Sequence, residues 1–280
     1  MMDLTDPATL IPLIGVLALA GALIGFLAGI FGIGGGAISV PVFYEVFQTL
    51  GHTPEVAMPM AVGTSLAVII PTSIQSSRGH FKRGTVDMDL LRVWALPVLL
   101  GVLLGSAIAR HAQPEVFQLA FVAVAAVNAT KLLSGGSGWR LRDSLPSRFA
   151  LRLYGAGVGL VSALMGIGGG AVSNLILTLH NVPIHRAIST SAGVGVLIAI
   201  PGTLGYMAAG WGRPDLPPDA IGFVSLATFA LTIPTSLITT RFGVALAHRL
   251  SRQHLERAFG IFLLLVCLRF LWAILAPNVA

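Results

Sequence analysis

The sequence predicts an all-α integral membrane protein built from two inverted-topology repeats of about five helical segments each, on three observations. Of its 280 residues, 55% are apolar and only 10% charged, and the mean hydropathy is +0.87. Apolar stretches follow one another with little polar sequence between them, and a bilayer core of about 30 Å asks for roughly 20 such residues per spanning helix. A glycine-rich octet occurs twice, as Gly32-Ile33-Gly34-Gly35-Gly36-Ala37-Ile38-Ser39 and, at an offset of 134, as Gly166-Ile167-Gly168-Gly169-Gly170-Ala171-Val172-Ser173.

In chain order the apolar segments fall at about 9–31, 37–50, 57–77, 90–110 and 115–133, then at about 149–166, 170–180, 187–210, 220–247 and 255–276. Asp3 and Asp6, with no basic residue ahead of the first segment, are unlike the leader of a cleavable signal peptide, so that segment is expected to stay. The second segment of each set is short. At about 1.5 Å per residue, a helix over 170–180 reaches about half the hydrocarbon thickness, so half-length or broken helices are expected after each glycine cluster. Ala61, Thr64 and Ser65 match Ala187, Thr190 and Ser191. The run from Gly105 to His111 resembles that from Gly243 to Arg249, and the same offset of 138 brings Lys131 onto Arg269. The chain divides into repeat one (1–133), a polar linker (134–148) and repeat two (149–280).

Basic residues in short loops mark the cytoplasmic side. Twelve of the seventeen crowd three loops, among them Lys82 and Arg83, Arg140 and Arg142, and Arg249 and Arg252. These loops share one face if every segment crosses, or if 149–180 is a re-entrant hairpin. Asp215 and Asp219 then fall outside, with both termini. Each repeat crosses an odd number of times, so the two run in opposite senses, a recurring design of secondary transporters whose cargo binds near the midplane. The expected location is a bacterial-type inner membrane, with lipid as partner.

Three successive glycines break a helix, since each costs about 1 kcal/mol of propensity. A break in hydrocarbon is tolerated only where protein or a watery cavity satisfies its backbone groups. The break exposes a helix start whose free N–H groups and positive dipole end attract an anion. Gly34, Gly35 and Gly36 with Ser39, and Gly168, Gly169 and Gly170 with Ser173 and Asn174, are the candidate substrate-binding residues. Thr64, Ser65, Thr190 and Ser191 are candidates to line the cavity, each serine and threonine having local helix bonding as its rival role. Gln75 is expected to bond between helices. Arg241, the most deeply placed basic residue, is a candidate substrate contact or else reaches toward the interface; Lys131 and Arg269 are expected to snorkel.

Of the acidic residues within the segments, Glu45 lies toward the outer end of its segment and Glu115 and Glu256 at segment starts, and a cation site or carboxylate relay wants a deeper one, so an anionic cargo is favoured. The histidines, His80, His111 and His180 among them, lack zinc-site spacing and read as interfacial. No catalytic residues, metal or cofactor are expected, and Cys267 reads as a small buried or lipid-facing hydrophobe. A nucleotide-binding turn needs a preceding strand that long apolar helices rule out. The sequence pI of about 10.4 follows from loop charge, with no nucleic-acid partner implied.

The duplicated Gly-Ile-Gly-Gly-Gly segments, the Thr-Ser pairs after them and the Gly-x-Ala-x-Ala-basic ends resemble the sulfite exporter TauE/SafE family, from about Ala20 to Trp272. The resemblance implies transport of sulfite, sulfonates or related organosulfur anions, driven by an ion gradient, with a possible coupling ion as partner. The first copy continues into Val40-Pro41 and the second into Asn174-Leu175, a departure from symmetry. The preferred reading is a secondary transporter, with an anion channel as the alternative. Gly34→Leu and Gly168→Leu are each expected to abolish transport.

Overall fold

A computed structural model describes residues 7–31, 35–82, 84–134, 139, 141–247 and 252–275. The first copy supplies α1 (Pro7–Phe31), α2 (Gly36–Thr49), α3 (Pro54–Lys82), α4 (Met88–Ala109) and α5 (Pro114–Leu133). The second supplies α6 (Arg148–Met165), α7 (Gly170–Leu179), α8 (Ile184–Ala209), α9 (Leu226–Ala247) and α10 (Arg252–Leu275). Among the described residues, α3, α4, α5 and most of α8 are long and apolar enough to cross a membrane.

Helix ends follow local chemistry. Asp87 caps α4 by accepting from the Leu90 N–H at 3.1 Å, and Ser147 caps α6 through Ala150; Pro114 opens α5, where its missing N–H costs nothing. The segment expected over 220–247 departs from this pattern. Residues Ala220–Ile221 and Val224–Ser225 form a two-stranded antiparallel hairpin, and helix begins only at Leu226. Gly222 forces the turn: its φ is +54°, and a Cβ there would sit 2.0 Å from Met207 O. Hydropathy cannot distinguish such an apolar hairpin from a helical turn.

The two short helices start in the same way. Gly35 (φ 76°, ψ −10°) precedes α2, and Gly169 (φ 72°, ψ −11°) precedes α7. Gly166 ends α6 in the left-handed region at φ 63°, a conformation that favours glycine. The second break therefore spans Gly166 to Gly169. In the first, Gly35 and Gly36 are described, whereas Gly32, Ile33 and Gly34 lie outside the described residues.

α7 does not cross. The Leu141 and Arg142 N–H groups donate to Leu179 O at 2.8 and 3.4 Å, and the His180 ring lies 5.5 Å from that of Tyr154 near the start of α6. Both ends of the α6–α7 pair thus return to the face bearing the linker, hereafter the linker face. This is the re-entrant alternative rather than two crossings, and it preserves the loop parity. His180, at the end of α7 on this face, is buried in the protein, its Nδ1 2.9 Å from Ile176 O.

Pairing exchanges partners between copies: α1 packs along α9, α6 along α4, α3 along α8 and α5 along α10. Glycine sets the close approach, as small residues do between membrane helices. A Cβ on Gly21 would meet Thr232 O at 2.4 Å and one on Gly25 Ser236 O at 2.0 Å. In the other pair, a Cβ on Gly159 would meet Val98 O at 2.2 Å and one on Gly101 Ala156 O at 2.1 Å. Gly21 and Gly25 correspond to Gly155 and Gly159 at the offset of the glycine octets. Gly25→Ala is expected to destabilise the protein by about 1–3 kcal/mol through overpacking, read as a lower melting temperature in detergent. Gly15→Ala, whose Cβ would meet nothing within 4 Å, should leave it unchanged.

Lys131 and Arg269 do more than snorkel. Lys131 Nζ donates to Thr178 Oγ1 near the end of α7, and Arg269 pairs with Glu45 of α2 at 2.7 Å. Each basic residue ties the last helix of one copy to the short helix of the other. Cys267 is buried, its Sγ 3.7 Å from Val122 O.

Candidate functional site

The two breaks meet inside the protein. A Cβ on Gly36 would stand 2.5 Å from Gly166 O and 2.7 Å from Ile167 Cα, and Ile69 of α3 lies against both Gly36 and Gly168. Gly166 in turn packs against Val40 and Val62. Ser65 Oγ donates to Gly166 O at 2.7 Å, and Ser39 Oγ lies 2.5 Å from Ser65 Oγ. With the Ser65 proton committed to a carbonyl, Ser39 is the donor. Ser39 also approaches its own Gly36 O at 3.4 Å, the weaker contact by length. The first copy's hydroxyls thus stitch their own break to the tip of the second.

The two matching serine hydroxyls of the second copy are unused. Ser173 and Ser191 are 0% and 1% exposed, and neither Oγ has a partner among the described residues. The Ser162 Oγ, close beside Gly169, and the Asn174 Oδ1 are likewise buried without partners. The carbonyl equivalent to that of Gly166 belongs to Gly32, outside the described residues. Among the described residues no backbone carbonyl accepts from the N–H groups of Gly170, Ala171 or Val172, the first turn of α7, where no intrahelical partner exists. Every residue from Ser162 to Ser173 is buried. An unpaired buried donor costs about 1–3 kcal/mol, so the break concentrates neutral donors that a ligand accepting several hydrogen bonds would satisfy.

Thr64 and Thr190 are placed differently. Thr64 Oγ1 accepts from the Ser225 N–H and Thr190 Oγ1 from the Asp87 N–H, both at 3.0 Å. Ser225 and Asp87 correspond to one another at the offset of 138, each at the start of the fourth helix of the opposite copy. Both threonine oxygens are therefore framework anchors. Thr64→Val is expected to cost about 1–3 kcal/mol by orphaning the buried Ser225 N–H, and Thr190→Val less, because the Asp87 N–H is only partly buried, each measured as a fall in melting temperature with half-saturation for substrate unchanged.

Arg241 is exposed on the face of α9 shared with the exposed Ile238 and Phe242. It lies on an exposed face, which fits its interfacial alternative. Gln75 does not bond between helices as expected: its Oε1 is buried without a partner among the described residues. Ser162 carries no repeat signal in the sequence, because its counterpart at the offset of 134 is Ala28.

On the face away from the linker, Phe223 is fully buried beneath Arg213, whose guanidinium carbon lies 5.4 Å from the ring centroid. Arg213 donates to both carboxylate oxygens of Asp215 at 3.0 and 2.6 Å, and this bond holds the carboxyl below its usual range. Tyr206, fully buried, donates to Ala163 O at 2.9 Å. Both rings are buried at that end.

Comparison with known proteins agrees with this architecture. The family model for "Sulfite exporter TauE/SafE" matches residues 17–270. A "Probable membrane transporter protein" of Haemophilus influenzae is 30% identical over 250 residues, covering 89% of this chain and 95% of the relative. A probable membrane transporter protein from Methanocaldococcus jannaschii is 26% identical over 261 residues, covering 90% and 96%. No solved structure matches the chain. With nearly the whole chain matched, glycine breaks included, it belongs to the sulfite exporter TauE/SafE family and is a membrane transporter.

Proposed function

We propose that the chain is a secondary transporter of a small oxyanion, sulfite or an organosulfonate, bound where the two helix breaks meet. The observation that carries this reading is the buried set of unpartnered donors around the second break: the α7 N-terminal N–H groups with Ser162 and Ser173, and Ser191 about one helical turn from Val194 and Gly195, which lie against Gly169 and Gly168. A helix N-terminus supplies roughly half a positive charge, and neutral donors in a low-dielectric site hold an oxyanion without a fixed cation. Gly35 and Gly36, with Gly34 outside the described residues, and Gly168, Gly169 and Gly170 shape the site. Ser39 and Ser65 hold the breaks together, and Asn174 borders the donors.

The two copies act as inverted repeats in this reading, 1–133 and 149–280 joined by the linker. The partner-exchanging helix pairs support it, as does the pair of equivalent glycine starts. The linker face is cytoplasmic by its basic loops, with both termini outside and the inner membrane as the location.

The test is flux of labelled sulfite into vesicles containing the purified protein. Saturable uptake that accelerates when unlabelled sulfite is present on the far side supports a carrier. Current proportional to driving force, without saturation or exchange, identifies the anion channel instead.

A further inference from the structure

The inner face of α9 carries a column of hydroxyls that the anion site does not absorb. Ser225, Thr228, Thr232, Ser236 and Thr240 recur at helical spacing, and all five are buried. They extend over about 22 Å at 1.5 Å per residue. Ser225 and Thr228 are satisfied in the cap of α9, and Thr240 donates to Ser236 O at 2.7 Å.

Thr232 and Ser236 are the exceptions. Both are 0% exposed, and neither hydroxyl has a partner among the described residues. Serine and threonine in a membrane helix have a ready partner in the carbonyl one turn back. Thr235, Thr239 and Thr240 of the same helix use such local carbonyls. Two fully buried hydroxyls that forgo this bond side by side point to a ligand, water or polar solute, between the helices.

Their backbone packs against Gly21 and Gly25 of α1, and the register of α9 with α3 sets their depth. The bond from the Ser225 N–H to Thr64 Oγ1 sets α3 and α9 in register, and both helices run from there toward the linker face. Ile69, against the breaks, lies five residues past Thr64, so Thr232 sits near the depth of the breaks. Ser236 and Thr240 lie about 6 and about 12 Å nearer the linker face than Thr232, at 1.5 Å per residue. Gln75 lies eleven residues past Thr64, as Ser236 does past Ser225. Three helical turns return each residue to nearly the same face, which places Gln75, its Oε1 buried and unpartnered among the described residues, on the Thr64 face of α3 at the depth of Ser236.

The opposite copy offers no equivalent. At the offset of 138, the positions of Thr228, Thr232, Ser236 and Thr240 become Leu90, Trp94, Val98 and Val102, all buried. Apart from the Trp94 indole N–H, which is unpartnered, that face is hydrocarbon. It is also packed along α8 more extensively than α9 is along α3.

We propose that Thr232, Ser236 and Gln75 line a hydrated half-passage between α3 and α9, through which the oxyanion moves between the breaks and the linker face. The matching face of α4 is the closed half. The route rests on the anion reading above, but its test reads water access independently of anion flux.

The experiment uses the full chain with Cys267→Ala, which removes its sole cysteine. Thr232→Cys and Ser236→Cys are compared with Trp94→Cys and Val98→Cys in vesicles of either orientation, using a membrane-impermeant anionic thiol reagent. Modification of the α9 cysteines from the linker face, with the α4 cysteines unreactive from both faces, is expected. Unreactive α9 cysteines, or α4 cysteines reacting as fast, would overturn the passage. Should the cysteine variants fail to assemble, Thr232→Val with Ser236→Ala keeps side-chain volume and is expected to lower maximal flux several-fold with half-saturation little changed; unaltered maximal flux would overturn it. Sulfite flux by the unsubstituted chain in the same vesicles tests the anion reading separately.

Discussion

Gly36→Leu is expected to abolish transport, and Gly36→Ala to reduce it severely, in protein that still reaches the membrane. The nearest atoms to a new Cβ are Gly166 O at 2.5 Å and Ile167 Cα at 2.7 Å. Both are backbone, so neither can rotate aside. Relief requires the two breaks to separate, which costs about 1–3 kcal/mol for one methyl in a packed interior and more for a leucine. At about 1.4 kcal/mol per tenfold, even alanine then shifts the breaks apart enough to lower flux by roughly five- to 150-fold. Gly168→Leu acts through Ile69 and is expected to abolish flux as well, since its Cβ would meet Ile69 Cγ2 at 2.6 Å. Gly157→Ala, which meets nothing within 4 Å, is the control for substitution as such. Uptake assays alongside membrane-fraction immunoblots separate lost transport from lost assembly.

Removing the unused donors should have the opposite balance between binding and stability. Ser173→Ala with Ser191→Ala deletes two hydroxyls that have no partner among the described residues. Folding therefore loses no hydrogen bond and sheds part of a burial penalty of about 1–3 kcal/mol per group. Hydrogen bonds to a charged ligand are worth about 1.5–3 kcal/mol each, so half-saturation for sulfite should rise at least tenfold. Unchanged or raised melting temperature with weakened binding is the expected pair of results. Ser65→Ala should reverse it, losing stability because Gly166 O is left without its donor.

Much of this arrangement was legible in the residues. Consecutive glycines leave a membrane helix no way to continue, so both interruptions and their repetition followed from spacing alone. That they would touch depended on how α1 and α6 each pack against the opposite copy, which is a tertiary fact. The glycine pairs that set this packing, Gly21 with Gly25 and Gly155 with Gly159, carry the octets' own offset and are a readable signal.

Hydroxyls were harder to assign, because residue type does not say where an oxygen is spent. Thr64 and Thr190 share their motif with Ser65 and Ser191, yet the threonines hold helix starts while Ser65 bridges the breaks. Arg241 keeps two roles open for a related reason: depth along a helix is readable in the sequence, but the side it faces is not. The column on α9 is absent from α4, and a search for repeated residues passes over what only one copy has.

The most direct test of the central claim, that the joined breaks form an uncharged anion site, is the position of selenite, a heavier analogue of sulfite, in a crystal structure with anomalous diffraction. The selenium signal should lie where oxygens reach the Gly170, Ala171 and Val172 N–H groups and the Ser173 and Ser191 hydroxyls at about 3 Å. A signal confined to Arg241, Arg269 or another cationic side chain, with the α7 N-terminus unoccupied, would contradict it.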